Sequence, residues 1–143
     1  MTQTPNASAT TTGLGKFQNR IHTGDTWLVA DEPEELGGLG TGPGPYDLLA
    51  AALAACTNMT LRFHADRKGW HIGEVSTQVT YHRMAGQTPA DRFERHITLA
   101  PGLDPAVRAE LLSIADRCPV HKTLSAGSAI TTALVEPVQG SLS

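Results

Sequence analysis

The 143-residue chain has only two cysteines, no long apolar run and no block of basic residues. Its most apolar segment, residues 48–56, is far shorter than the roughly 20 residues that cross a bilayer. Lysine and arginine number 11 against 14 acidic residues, and they are scattered. A surface that tracks nucleic acid phosphates needs clustered positive charge. We therefore expect neither a membrane nor a nucleic acid as a partner.

A secretion signal is also missing from the sequence. Residues 1–12 are small and polar, without the basic start and apolar stretch of such a signal, so we expect a cytoplasmic protein. In a reducing compartment, Cys56 and Cys118 are free thiols by default, and a disulfide between them would be transient and catalytic. Their wide separation in sequence excludes a local C-x-x-C dithiol.

The chain is long enough for one domain with its own core. Residues 1–14 have little to bury and are expected to form a disordered tail, leaving residues 15–143 as a single domain. The clearest element in that domain is a helix from Pro45 to Lys68, whose apolar residues recur three and four apart. Proline at its start and Gly69 after its end fit these bounds.

The remaining elements are short. A hairpin is predicted in residues 16–31, an irregular glycine-rich loop in 32–45, two antiparallel strands at 75–81 and 93–99, a helix from Pro105 to Cys118, a helical turn at 120–125 and a closing strand at 129–135. Links of hairpin length between strands favour an α+β fold with antiparallel sheets over a doubly wound fold.

The two cysteines have different surroundings. Cys56 lies on the apolar stripe of the long helix, where a buried and inert thiol is the alternative to a reactive one. Cys118 precedes Pro119 at the start of a helical turn, where backbone N–H groups and the helix dipole can stabilise a thiolate.

Cys118 and His121 have a spacing that could place both on a metal, but too few further ligands are present, so we predict no metal site. His121 could instead assist proton transfer at a thiol; the alternative is a surface or capping histidine.

Three segments together resemble the OsmC/Ohr family of thiol peroxidases. They are Gly42-Pro43-Gly44-Pro45-Tyr46-Asp47-Leu48-Leu49, Ala54-Ala55-Cys56-Thr57-Asn58-Met59-Thr60 and Arg117-Cys118-Pro119-Val120-His121-Lys122-Thr123-Leu124. The resemblance covers residues 16–137. The stretch Asp31-Glu32-Pro33 with Gly37-Gly38 is similar to the branch of OsmC-like redox proteins.

The resemblance implies an intertwined homodimer in which antiparallel sheets wrap around long central helices, with two active sites at the subunit interface. It implies that Cys56 attacks the O–O bond of an organic hydroperoxide, or of hydrogen peroxide, and becomes a sulfenic acid. Cys118 would then resolve it to a disulfide, which a dithiol reductant such as a lipoylated protein reopens. This antioxidant chemistry requires no cofactor, and over-oxidation is prevented by the nearby thiol.

The best-studied branch of this family also uses an arginine from the N-terminal strand, held by a glutamate that follows the first proline of the central helix. Arg20 is the counterpart here and would stabilise a Cys56 thiolate. Tyr46 stands where the glutamate is expected, and Asp47 comes one place later, which is a rotation of about 100° on a helix. Tyr46 is therefore predicted to line the pocket, while Asp47 could complement the helix dipole.

Two other functions remain open at this stage. The same fold could be a non-enzymatic module that binds a lipid-like ligand or senses redox state, since such pockets are apolar with a few polar groups. A thiol-disulfide oxidoreductase acting on proteins is less favoured, because its usual exposed C-x-x-C is missing.

Overall fold

The computed structural model describes residues 4–137, which form an α+β fold. Its strands are β1 (Ser8–Thr11), β2 (Asn19–Thr23), β3 (Thr26–Ala30), β4 (Val75–Arg83) and β5 (Asp91–Leu99); its helices are α1 (Pro45–Lys68), α2 (Pro105–Ile114) and α3 (Pro119–Ala126). Two 3-10 turns, Glu34–Leu36 and Ala115–Arg117, complete it. The strands make two antiparallel sheets, β1-β2-β3 and β4-β5. None of the helices in the described range is both long and apolar enough to cross a membrane.

Helix α1 has the bounds that the sequence predicts, because both of its ends are specified locally. Asp47 accepts a hydrogen bond from the Gly44 N–H at 2.9 Å, which satisfies a backbone donor at the start. Gly69 ends the helix in the left-handed region at φ 71°, where a side chain would be strained. Asp47, which the sequence suggested would complement the helix dipole, therefore caps the start of the helix.

One face of α1 is buried and the opposite face is exposed. The buried residues recur every four positions: Leu53, Thr57, Leu61 and Ala65. Leu61 and Ala65 join a core whose other members are Ile72, Leu111, Ile114 and Ala115. The exposed apolar side chains of α1 are Tyr46, Leu49, Met59 and Phe63. A single copy of the chain therefore leaves several large apolar side chains of its longest helix exposed.

The predicted hairpin in residues 75–99 is confirmed, and its strands are longer than the sequence indicated. Val75 pairs with Leu99 at one end and Arg83 with Asp91 at the other. Along β5 the half-buried positions alternate with exposed ones, as expected for a sheet with one face on a helix. The sheet packs on α1 mainly through β4.

The predicted hairpin in residues 16–31 is also confirmed, with Gly24 at φ 58° in its turn. The expected disordered tail at residues 1–14 is wrong for residues 8–11, which form β1 and pair with β2 from Ser8↔His22 to Thr11↔Asn19. All four β1 residues are exposed. Backbone pairing with a neighbouring strand, rather than burial of side chains, accounts for the strand, and such pairing leaves no apolar pattern in the sequence.

The closing strand predicted at residues 129–135 is wrong for this structure. Residues 127–137 are in neither a helix nor a strand, and all are exposed. Ile130 and Leu134 are 87% and 102% exposed. A strand needs a hydrogen-bonded neighbour, and no strand of the described chain lies alongside this segment.

The loop between β3 and α1 is organised by a buried carboxylate. Asp31 accepts hydrogen bonds from the backbone N–H groups of Glu32, Leu39 and Thr41 and, at 2.6 Å, from the Thr41 hydroxyl. These bonds hold the pKa of Asp31 below its ordinary value, the Thr41 hydroxyl having the largest effect. The glycine-rich sequence is thus an ordered connection that leads into the first turn of α1.

Candidate functional site

The two cysteines lie side by side. Cys56 is half-buried in the middle of α1, and Cys118 is fully buried at the start of α3. Their thiols are neighbours, and both are free. The backbone N–H of Val120 and the hydroxyl of Thr60 are also close enough to Cys56 to influence its pKa. The fold therefore brings together the two residues that the sequence singled out but could not place relative to one another.

Cys118 is fixed by backbone hydrogen bonds on both sides. Its N–H donates to the Ala115 carbonyl at 3.2 Å, and its sulfur accepts from the His121 N–H at 3.4 Å. The sulfur thus caps α3, with Pro119 at the first helical position, where no backbone donor is needed. A thiol held in this way can turn little, so its position relative to Cys56 is set by the backbone.

Burial raises the pKa of the Cys56 thiol above its ordinary value, and the neighbouring Cys118 side chain raises it further. The Val120 N–H and the Thr60 hydroxyl act in the opposite direction. Neither of these two groups carries a full charge. Within one copy of the chain, the groups around Cys56 therefore favour the protonated thiol.

Cys56 opens into a groove of about 820 Å³ along α1. Its other lining residues are Met59, Thr60, Phe63, His64, Arg67, Lys68, Ile114, Arg117 and Pro119. Apolar side chains predominate near the thiol, and cationic side chains are supplied by both walls. His64 is joined to Glu110 at 2.6 Å, and this contact keeps the pKa of Glu110 below its ordinary value.

Arg20 does not reach this groove within its own chain. It is on β2, as expected, but its guanidinium lies over the Trp27 ring at 5.7 Å and borders a separate hollow with Leu28 and Val29. The sheet that carries Arg20 makes its main contacts among its own strands.

The side chains of Tyr46, Asp47 and His121 also lie outside the Cys56 groove. Tyr46 stacks on Tyr81 with ring centroids 4.3 Å apart. His121 Nδ1 is 3.9 Å from the Asp116 carboxylate, in a hollow on another side of α3, and only its backbone contacts Cys118. In residues 4–137 no group of three or more His, Cys, Asp or Glu is arranged to hold a metal ion.

Sequence reasoning missed Arg95, which touches the segments carrying both cysteines. Its guanidinium donates to Thr57 Oγ1 at 3.2 Å, to the Ala115 carbonyl at 3.3 Å and to Asp116 at 3.0 Å. A signal was present in the sequence: Arg95 occupies an inward position in the alternating run Phe93, Arg95, Ile97, Leu99. A charged residue at such a position needs a partner inside the protein.

The fold and the site define a class of protein, an α+β domain in which two helices hold adjacent free thiols beside an apolar groove. Residues 38–133 match the family described as OsmC-like protein. The chain belongs to this family, which confirms the resemblance read from the sequence. No curated protein matches the chain.

Solved structures agree with the family assignment. An organic hydroperoxide resistance protein OsmC from Legionella pneumophila has 25% identity and a TM-score of 0.65, over 85% of this chain and 89% of that one. The organic hydroperoxide resistance protein OhrB of Bacillus subtilis has 25% identity and a TM-score of 0.56, over 85% and 90%. An OsmC-like protein from Mycoplasma pneumoniae, at 22% identity and a TM-score of 0.70 over 87% and 89%, shares the fold.

Proposed function

We propose that the protein is a thiol peroxidase that reduces organic hydroperoxides. The observation that carries this proposal is the adjacency of Cys56 and Cys118, one half-buried at a groove and the other fully buried behind it. The accessible thiol is suited to meet a substrate, and the buried thiol is suited to resolve the product. The structural neighbours from Legionella pneumophila and Bacillus subtilis are organic hydroperoxide resistance proteins, which supports the choice of organic hydroperoxides.

The chemistry needs only the two cysteines and a dithiol. A Cys56 thiolate attacks one peroxide oxygen, the O–O bond breaks, and the other oxygen leaves with a proton as the alcohol. Cys56 is then a sulfenic acid. Cys118 releases its proton, its thiolate attacks the sulfenic sulfur, and the S–O bond breaks as the disulfide forms. The hydroxide that leaves takes up the released proton and becomes water. A dithiol, such as a lipoyl group, exchanges with the disulfide, returns both thiols and is itself oxidised.

A homodimer is part of the proposal, because one copy leaves three apolar or unpaired surfaces. They are the exposed face of α1, the separate N-terminal sheet and the exposed segment 127–137. Large exposed apolar patches mark interfaces, and an extended segment can pair with a sheet edge of another copy.

The dimer would also supply the missing activation of Cys56. The groups around Cys56 in one chain raise its pKa, and Arg20 in that chain is engaged with Trp27. In the proposed dimer, Arg20 of one copy approaches Cys56 of the other. A guanidinium near a thiol favours the thiolate, which is the form that attacks a peroxide.

The main test measures consumption of cumene hydroperoxide with dihydrolipoamide as the reductant. Wild type should turn over, and Cys56→Ser should consume no peroxide beyond the uncatalysed rate. Cys118→Ser should consume about one equivalent rapidly and then turn over poorly, since the sulfenic acid lacks its resolving thiol. Full activity in Cys56→Ser would falsify the proposal.

The dimer and Arg20 are tested separately. Sedimentation should give twice the mass of one chain, and Arg20→Met should lower the rate of the first step by about tenfold or more, as a shift of one pKa unit would. Arg108→Met, at an exposed position of α2, is the matched control and should have wild-type activity. A monomer, or equal effects of the two variants, would contradict this part of the proposal.

A carrier of a lipid-like ligand is the second candidate, and the size and apolar lining of the groove favour it. Its volume of about 820 Å³ is in the range of small-molecule pockets. The two functions differ in the fate of the thiols. Loss of two titratable thiols with one equivalent of peroxide indicates the enzyme; unreactive thiols with a retained apolar ligand indicate the carrier.

A further inference from the structure

Arg95 is a largely buried cation at the junction of three elements. Its side chain is 13% exposed, and it leaves β5 to lie between α1 and the 3-10 turn that precedes Cys118. One of its three partners, Asp116, is 71% exposed and provides the opposite charge. The other two, Thr57 and Ala115, are buried.

The Thr57 contact connects Arg95 to the residue that follows Cys56. Thr57 Oγ1 donates its proton to the Leu53 carbonyl at 2.7 Å, which leaves its lone pairs free to accept from Arg95 at 3.2 Å. The hydroxyl is fully buried, so both of its hydrogen bonds are made inside the protein. Arg95 thereby fixes one turn of α1 at the position of Cys56.

The Ala115 contact connects the same guanidinium to Cys118. The Ala115 carbonyl accepts from Arg95 at 3.3 Å and from the Cys118 N–H at 3.2 Å. The two donors share one oxygen, so a displacement of the guanidinium is transmitted to the backbone that holds Cys118. A single planar group with several donors can bond all of these acceptors at once, which an ammonium cannot do with the same geometry.

A buried arginine could serve stability alone. However, the two buried acceptors of Arg95 lie in the segments that carry the two thiols, and a disulfide tolerates only a narrow range of separations between its cysteines. Loosening either segment lowers the effective concentration of one thiol at the other. The consequence is a disulfide that is more easily reduced.

We propose that Arg95 is a positioning residue that holds the segments of Cys56 and Cys118 in register and thereby sets the redox stability of their disulfide. This inference rests on the proposed function in so far as that function uses the Cys56–Cys118 pair. It adds the residue that controls how readily the pair forms and is reopened. Arg95 acts through Thr57 and Ala115 and touches neither the peroxide nor a reacting sulfur.

The test is the equilibrium of the folded protein with glutathione buffers in the absence of oxygen. The reaction is two protein thiols plus oxidised glutathione giving the protein disulfide plus two reduced glutathiones, quenched with acid and measured by mass after alkylation. Arg95→Met should lower the equilibrium constant at least tenfold, which is about 30 mV for a two-electron couple. The equilibrium constant of Arg95→Lys should lie between those of wild type and Arg95→Met, because lysine restores the charge without the planar set of donors.

Arg92→Met is the matched control. Arg92 is on the opposite face of β5 and bonds the Pro89 carbonyl and the Gln87 side chain at the surface. The equilibrium constant of Arg92→Met should equal that of wild type. An Arg95→Met constant within twofold of wild type, or an equal fall in Arg92→Met, overturns the inference. Circular dichroism and urea unfolding establish that the compared variants are folded.

If Arg95→Met does not fold, Thr57→Val decides the matter. This variant removes one acceptor of Arg95 and keeps both the shape of the residue and the two contacts to the 3-10 turn. Its equilibrium constant should fall several-fold, and an unchanged constant overturns the inference.

The glutathione equilibrium uses no peroxide, so the two proposals can fail separately. If the peroxidase assay fails but the equilibrium constant falls in Arg95→Met as expected, only the proposed function is refuted. If peroxide turnover is normal but the equilibrium constant with glutathione is unchanged in Arg95→Met, only this inference is refuted.

Discussion

The Cys118 side chain raises the pKa of Cys56, its neighbour in the fold. A sulfur that accepts a hydrogen bond from the Cys56 thiol stabilises the protonated form, and a charge on that sulfur would repel a second thiolate. Burial of Cys56 is the larger cause of its raised pKa. The two contributions can therefore be separated by one substitution.

Cys118→Ala should lower the pKa of Cys56, because it removes the neighbour and leaves most of the burial. The measurement is the rate of iodoacetamide modification of Cys56 against pH, followed by mass spectrometry. Since the thiolate is the reacting form, the rate at about pH 7 should rise several-fold over reduced wild type. Ser113→Ala, at an exposed position of α2, should leave the profile unchanged. A higher pKa of Cys56 in Cys118→Ala than in wild type would show that Cys118 does not raise this pKa.

Asp31→Asn should destabilise the protein at neutral pH, because it replaces an acceptor of four hydrogen bonds with a group that also donates. The folded pKa of Asp31 is lowered, so its ionised form contributes stability above the unfolded pKa of about 3.9 and loses it as pH falls through the folded pKa.

Urea unfolding of wild type and Asp31→Asn tests this at two pH values. The gap between their midpoints should be widest near pH 7 and should shrink towards about pH 3. Asp25→Asn, in the exposed turn between β2 and β3, should have the same urea midpoint as wild type at both pH values. A gap that stays constant with pH would mean that the charge of Asp31 is not what stabilises the loop.

The sequence predicted helix α1 from Pro45 to Lys68 because its ends are specified by neighbouring residues: a proline and a capping carboxylate at the start, and Gly69 at the end. The pairing of Cys56 with Cys118 came from the family resemblance, since only the fold places two distant segments together.

Elements that depend on distant partners were predicted least well. Strand β1 exists because β2 lies beside it. The segment 129–135 has strand-like residues, but none of the strands within residues 4–137 lies beside it. Arg95 was overlooked for the same reason, since its three acceptors come from elements far away in sequence. Its position in an alternating apolar run indicated burial but not the identity of its partners.

Leu111→Ala should lower the free energy of unfolding by about 2–5 kcal/mol, because Leu111 is fully buried in the core and its removal leaves a cavity. Leu112 is the next residue of α2 and is 68% exposed. Leu112→Ala should change the free energy of unfolding by no more than about 0.5 kcal/mol. Both are measured by urea unfolding at one protein concentration. Similar losses in the two variants would mean that α2 does not face the core as described.

Tyr81→Phe and Asp91→Asn address a short hydrogen bond at the end of the β4-β5 hairpin. The Tyr81 hydroxyl donates to Asp91 at 2.5 Å, and this bond is the main reason that the pKa of Tyr81 is raised to about 12. The carboxylate stabilises the protonated phenol and repels the phenolate. Tyr46, stacked on Tyr81, is the other tyrosine of the chain and contributes less to the shift.

Absorbance titration near 295 nm follows the phenolate directly. In a Tyr46→Phe background only Tyr81 titrates, and it should remain mostly protonated at about pH 11; adding Asp91→Asn should bring its pKa down towards about 10. Tyr81→Phe in that background should abolish the signal and so confirms its assignment. Glu94→Gln, at an exposed position of β5, is the control and should leave the titration in place. A Tyr81 pKa that does not respond to Asp91→Asn would mean that burial, and not the carboxylate, holds the phenol protonated.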